Sequence, residues 1–156
     1  MQKTTLCVIG YQEIPDDKQD RVKRKLEREI KRALEDGYTA FLTEYSEGVG
    51  RLLAQCINTQ RQQYPYIFME VVFPQPSKRE LPTVSMHEIN TACNGFKPLC
   101  NDCQADYPLS VTRYLVGQSS RVIVVYDGPD GQDDHDTEYA MDYARTMGRD
   151  LEIIEF

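Results

Sequence analysis

Short apolar runs that stop at glycine, proline or aspartate alternate with longer stretches whose apolar residues recur every three or four positions, and the alternation holds along most of the chain. Runs of the first kind read as buried strands, and stretches of the second kind as amphipathic helices. Alternation of this sort leaves few folds open, because a helix between two strands brings the chain back parallel to the first strand and covers a face of the sheet. The expectation is an α/β domain of doubly wound type, with helices on both faces of a mostly parallel sheet.

The first strand is expected over residues 4–9, ending at Gly10. Asp16 and Asp17 can cap the next element, Val22, Leu26, Ile30, Ala33 and Leu34 form its apolar stripe, and Gly37 ends it. Lys and Arg on its other face are interleaved with Glu27, Glu29 and Glu35, as in a basic patch or in a solvated face of i,i+4 pairs. Residues 38–43 read as a second strand. Gly48-Val49-Gly50 then opens a helix with Leu52, Leu53, Cys56 and Ile57 as its buried stripe. A third strand over 67–73 is stopped by Pro74 and Pro76. From 75 to 108 the pattern dissolves into Pro, Asn, Asp and Cys, with at most a short helix near 84–92, and reads as an irregular insertion. A helix over 109–116, a strand over 122–126, a helix over 137–147 and a strand over 151–156 complete the chain.

Five strands with a long third crossover predict the order 3-2-1-4-5. In such a sheet the ligand crevice lies at the carboxyl ends of the strands where the winding reverses, here between the first and fourth strands. The loops meeting there start at Gly10 and Asp127, and the loop over 43–50 lies beside them.

A chain of 156 residues suits one domain, 1–156, and 40% apolar residues suffice for a buried core. The net charge of -7 disfavours a nucleic-acid polymer, which needs a field of Lys and Arg to displace counterions. A single nucleotide stays open, since helix N-terminal N–H groups can hold it locally. No apolar run is long enough for a membrane span or a signal peptide, so no membrane partner and a cytoplasmic location are expected. Five cysteines, an odd number, with Cys7 and Cys56 among apolar neighbours, suit a reducing compartment. A homo-oligomer is left open.

Ile9-Gly10-Tyr11, Phe41-Leu42 leading to Gly48-Val49, Arg113-Tyr114-Leu115-Val116 before an apolar strand ending in Tyr126-Asp127, and Thr137 opening the next helix together resemble the SLOG superfamily, and within it the YpsA-like branch. The resemblance implies a Rossmann-like fold that binds a nucleotide or a nucleotide-derived small molecule; some members of the superfamily hydrolyse the N-glycosidic bond of a nucleoside monophosphate. It points to Gly10, Tyr11, Tyr45, Ser46, Gly48, Gly50, Arg113, Asp127 and Thr137 as ligand-binding residues. Two loops depart from the pattern. Tyr45 stands where a glycine is expected and Gly50 where an acid is expected, and Asp136 replaces the glycine before Thr137.

Each feature carries a functional and a structural reading. Gly48 to Gly50 can present N–H groups to an anion, or simply start a helix. Arg113 can pair with a phosphate or carboxylate, or form a salt bridge. Thr137 and Glu138 match a catalytic threonine and acid, or an N-cap with an acid in the first turn. Asp127, Asp130, Asp133, Asp134 and Asp136 offer oxygen ligands to a hard cation, or make a solvated acidic loop. No cofactor is identified by the sequence, although His87, Cys93, Cys100 and Cys103 could complete a Cys₃His zinc site in the insertion. Free thiols and a redox-active Cys100–Cys103 pair are the alternatives there.

Three functional classes follow: binding or sensing of a nucleotide-derived ligand in the crevice, hydrolysis of a nucleoside monophosphate with Thr137 and Glu138, and an interaction module with a degenerate site. Tyr11, Tyr45 and Tyr126 favour the first, since rings at strand ends can stack on a base.

Overall fold

The structure, a computed structural model, describes residues 4–11, 14–74, 87–99, 107–127 and 135–156. Among these residues eleven elements follow one another: β1 (Thr5–Ile9), α1 (Asp16–Glu35), β2 (Ala40–Glu44), α2 (Val49–Gln60), β3 (Phe68–Pro74), α3 (His87–Ala92), β4 (Gly95–Leu99), α4 (Tyr107–Gln118), β5 (Arg121–Tyr126), α5 (His135–Thr146) and β6 (Asp150–Glu155).

The strands form one sheet of order β4-β3-β2-β1-β5-β6, and every neighbouring pair is parallel. The doubly wound expectation holds, with six strands in place of five. The added strand is β4, inside the segment expected to be irregular. Its sequence, Gly-Phe-Lys-Pro-Leu, lacks an apolar run and contains a proline, which suits an edge strand paired on one side only. Partnership with β3, from Glu70 opposite Gly95 to Pro74 opposite Leu99, makes it a strand.

Alternate strand residues face opposite layers. Leu6, Val8, Phe41, Met69, Val71, Ile123 and Val125 pack with the stripes of α1 and α2 and with Ile89 and Ala92 of α3. Cys7, Leu42, Val72, Val122 and Val124 face Val111, Leu115 and Val116 of α4 and Met141 and Ala144 of α5. The helices thus cover both faces. Each Leu or Ile buried in full contributes roughly 1.5–3 kcal/mol.

Helix boundaries refine the expectation. Asp16 and Asp17 occupy the first turn of α1, where their charge complements the helix dipole, while Pro15 holds the cap position without a side-chain hydrogen bond. Gly37 does end α1: at φ 98° it allows Tyr38 N–H to donate to Ala33 O (2.9 Å) and its own N–H to Leu34 O (3.1 Å). That closure takes Tyr38 out of the second strand, which begins at Ala40. The charged face of α1 is partly paired: Arg32 bridges Glu29 at 3.6 Å and also contacts Glu152 of β6, and Lys25 Nζ donates to Glu155 O at 2.9 Å.

Candidate functional site

The winding reverses between β1 and β5, so their carboxyl ends border the crevice expected of this topology. Gly10 follows β1 directly. A Cβ there would lie 2.5 Å from Val49 Cγ2 and 3.0 Å from Val125 Cβ. The glycine is required for clearance: it lets the start of α2 and the end of β5 close together over the end of β1.

Tyr11 ties these two elements together. Its carbonyl accepts the Val49 N–H at 3.2 Å, and its hydroxyl accepts the Asp127 N–H at 3.3 Å. At the start of α2, the Gly50 N–H donates to Ser46 Oγ at 3.0 Å. A Cβ at Gly50 would meet Glu44 O at 2.5 Å and Ser46 Oγ at 3.0 Å, so only glycine allows this tight approach. The N-terminal N–H groups of a helix are its anion-binding donors. In α2 those of Val49 and Gly50 are engaged within the protein.

An aromatic residue reaches the same end of the sheet from β6. The Phe156 N–H donates to Tyr126 O at 3.2 Å, which carries the chain one residue past the strand. Its ring meets Tyr11 edge to face, with centroids 5.7 Å apart, and Lys18 Nζ of α1 stands 5.8 Å above it. Sequence reasoning missed Lys18 and Phe156. Lys18 is one of many cations on α1, and only the parallel placement of β6 beside β5 brings Phe156 to Tyr11.

The other expected residues are placed as follows. Thr137 is buried in the first turn of α5, and Glu138 beside it is exposed. Arg113 lies half-buried in the middle of α4, on the opposite face of the sheet from α2. Tyr45 turns toward the β4 edge: its N–H donates to Val72 O at 2.9 Å and its ring lies 6.5 Å from that of Phe96. Burial, reinforced by Cys93, raises the Tyr45 pKa.

His87 is exposed on α3, its Nε2 3.5 Å from Thr91 Oγ1. The Cys93 thiol donates to Gly95 O at 2.7 Å, and burial is the main cause of its raised pKa. Cys100 and Cys103 lie outside the described residues, as do Asp130, Asp133, Asp134 and the side chain of Asp136. Among the described residues, no group of three or more His, Cys, Asp or Glu is placed to hold a metal ion. No helix among them is long and apolar enough to cross a membrane.

The chain matches no known protein family, and no curated protein matches it at a significant level. Among solved structures it is similar to the X-ray structure of TM1055, a structural-genomics target, with 13% identity and a TM-score of 0.56 over 95% of this chain and 72% of that one. At this identity the likeness speaks for the fold, and both it and the strand order define a Rossmann-like α/β protein.

Proposed function

We propose that the protein binds or senses a nucleotide-derived small molecule, in the manner of the SLOG superfamily and its YpsA-like branch, in the crevice at the carboxyl ends of β1 and β5. The observation that carries this reading is the meeting of two loop ends at the switch point: Tyr11 after β1 receives the N–H of Asp127 after β5, beside a glycine with no room for a side chain. Engagement of the Val49 and Gly50 N–H groups favours a ligand held by rings and polar side chains over one cradled by the start of α2. Non-enzymatic binding fits a site with Thr137 buried and Glu138 exposed. The acidic net charge of -7 argues for a small ligand and against a nucleic-acid polymer.

The test is a thermal-unfolding screen with AMP, GMP, NAD and ADP-ribose. A ligand that binds only the folded state stabilises it by about 2.7 kcal/mol at a hundredfold excess over Kd, which raises the melting temperature. The expected outcome is a shift with at least one of these compounds that is lost in Tyr11→Ala, each variant being referred to its own unliganded transition. No shift with any of the four would overturn the proposal.

A further inference from the structure

A nucleotide carries an acidic group, and on a protein of net charge -7 such a group needs a local cation or a set of directed N–H donors. The start of α2, the expected donor set, has its Val49 and Gly50 N–H groups bonded to Tyr11 O and Ser46 Oγ. Lys18 of α1 is a cation at this end of the sheet, where Lys25 is taken up by Glu155 O and Arg51 by Glu88. Its ammonium stands 5.8 Å above the Phe156 ring, and among the described residues it makes no ion pair. A chain of contacts links it to the ends of β1 and β5. Asp127 N–H binds the Tyr11 hydroxyl, the Tyr11 ring abuts Phe156 at 5.7 Å, and Phe156 is pinned to Tyr126 O at 3.2 Å. The nearest acids in sequence, Asp16 and Asp17, are exposed in the first turn of α1, and Asp16 accepts a hydrogen bond from Gln19 at 3.2 Å. An ammonium resting on a ring has one side shielded from water, which strengthens any charge-assisted hydrogen bond it makes on the other.

We infer that Lys18 is the anion contact of the crevice, and that the ligand is a nucleoside-type molecule bearing an acidic group that meets this ammonium at the rim. The inference rests on the binding reading above. Phe156 acts as a positioning residue, its ring in contact with both this ammonium and Tyr11.

Calorimetric titration of the folded protein with three related probes in each of the adenine and guanine series separates the contributions: the nucleoside, its 5′-monophosphate and its 5′-carboxylate. In at least one series the wild type is expected to bind an acidic form roughly tenfold tighter than the parent nucleoside. Lys18→Gln removes that gap, Lys18→Arg retains it, and rising salt narrows it in the wild type. A gap for the monophosphate alone assigns a phosphate, and a gap for both acids assigns a general anion contact. A wild type with no gap, or a gap that persists in Lys18→Gln, overturns the role of Lys18 while leaving nucleoside binding intact. Absence of binding by every probe overturns the crevice reading and this inference with it.

Discussion

The Ser46 hydroxyl accepts the backbone N–H of Gly50, four residues on, at 3.0 Å, and Gly50 in turn has no space for a Cβ because Glu44 O would lie 2.5 Å from it. The two residues lock the β2–α2 connection into one conformation. They also engage one of the backbone N–H groups that the sequence offers to an anion.

Loss of this lock has a measurable cost. Ser46→Ala removes the capping acceptor and is expected to destabilise the fold by about 1 kcal/mol. Gly50→Ala is expected to cost more, although alanine is the better helix former by about 1 kcal/mol, because its methyl group would have to displace backbone. Urea unfolding of both variants checks this, and a Gly50→Ala protein more stable than the wild type would refute the clash.

The Arg51 guanidinium of α2 donates to both carboxylate oxygens of Glu88 on α3, and these hydrogen bonds hold the Glu88 carboxyl below its ordinary range. A depressed folded-state pKa means that the contribution is complete above the ordinary carboxylate range and is lost as pH falls through the folded value. The pair is partly exposed, so the contribution is under about 1 kcal/mol. Glu88→Gln is expected to be less stable than the wild type at neutral pH and to lose less stability in acid. Unfolding midpoints measured from neutral pH to below about pH 5 give the comparison, and parallel curves would rule the contribution out.

Cys7 and Cys56 are wholly buried, and desolvation pushes both thiols up to about 12. Thiolate is the reactive form, so neither residue should react with a thiol reagent while the protein is folded. Mass spectrometry after brief labelling at neutral pH is expected to find both unmodified, and modified only when denaturant is added. Rapid labelling of either in the native protein would contradict their packing.

Tyr114 on α4 donates its hydroxyl proton to Glu70 of β3 at 2.8 Å. Burial first, and this carboxylate second, push its pKa up to about 12. Between the ordinary value of 10 and that figure, the unfolded chain releases the phenolic proton while the folded chain keeps it, so stability falls as pH rises through this window. Tyr114→Phe is expected to remove that part of the alkaline decline and to delete the highest component of the tyrosinate absorbance titration. An unchanged titration would show that another residue produces it.

Much of the site was legible because its parts are local. Gly10 and Asp127 mark strand ends in any reading of the apolar runs, and both lie where the winding reverses. Contact between them was not legible, since it passes through the Tyr11 hydroxyl across 116 positions of sequence. Tyr45 illustrates the opposite case. It follows β2 and looks like a neighbour of the crevice, yet its ring packs toward Phe96, because β3 and β4 extend the sheet on that side.

Periodicity within the chain by itself determined the succession of helices and strands outside residues 75–108, the stripes that face the sheet and the parallel, doubly wound class, because each depends on residues a few positions apart. The tertiary structure alone decided three things: that Gly95–Leu99 is a strand, that the start of α2 is engaged by Tyr11 and Ser46, and that Phe156 meets Tyr11 with Lys18 over its ring. The edge strand depends on backbone partners in β3, and Phe156 reaches Tyr11 only through the pairing of β6 with β5. The engagement of α2 depends on how closely two glycines let backbone approach. All three are set by packing between segments, which no local pattern of side chains encodes.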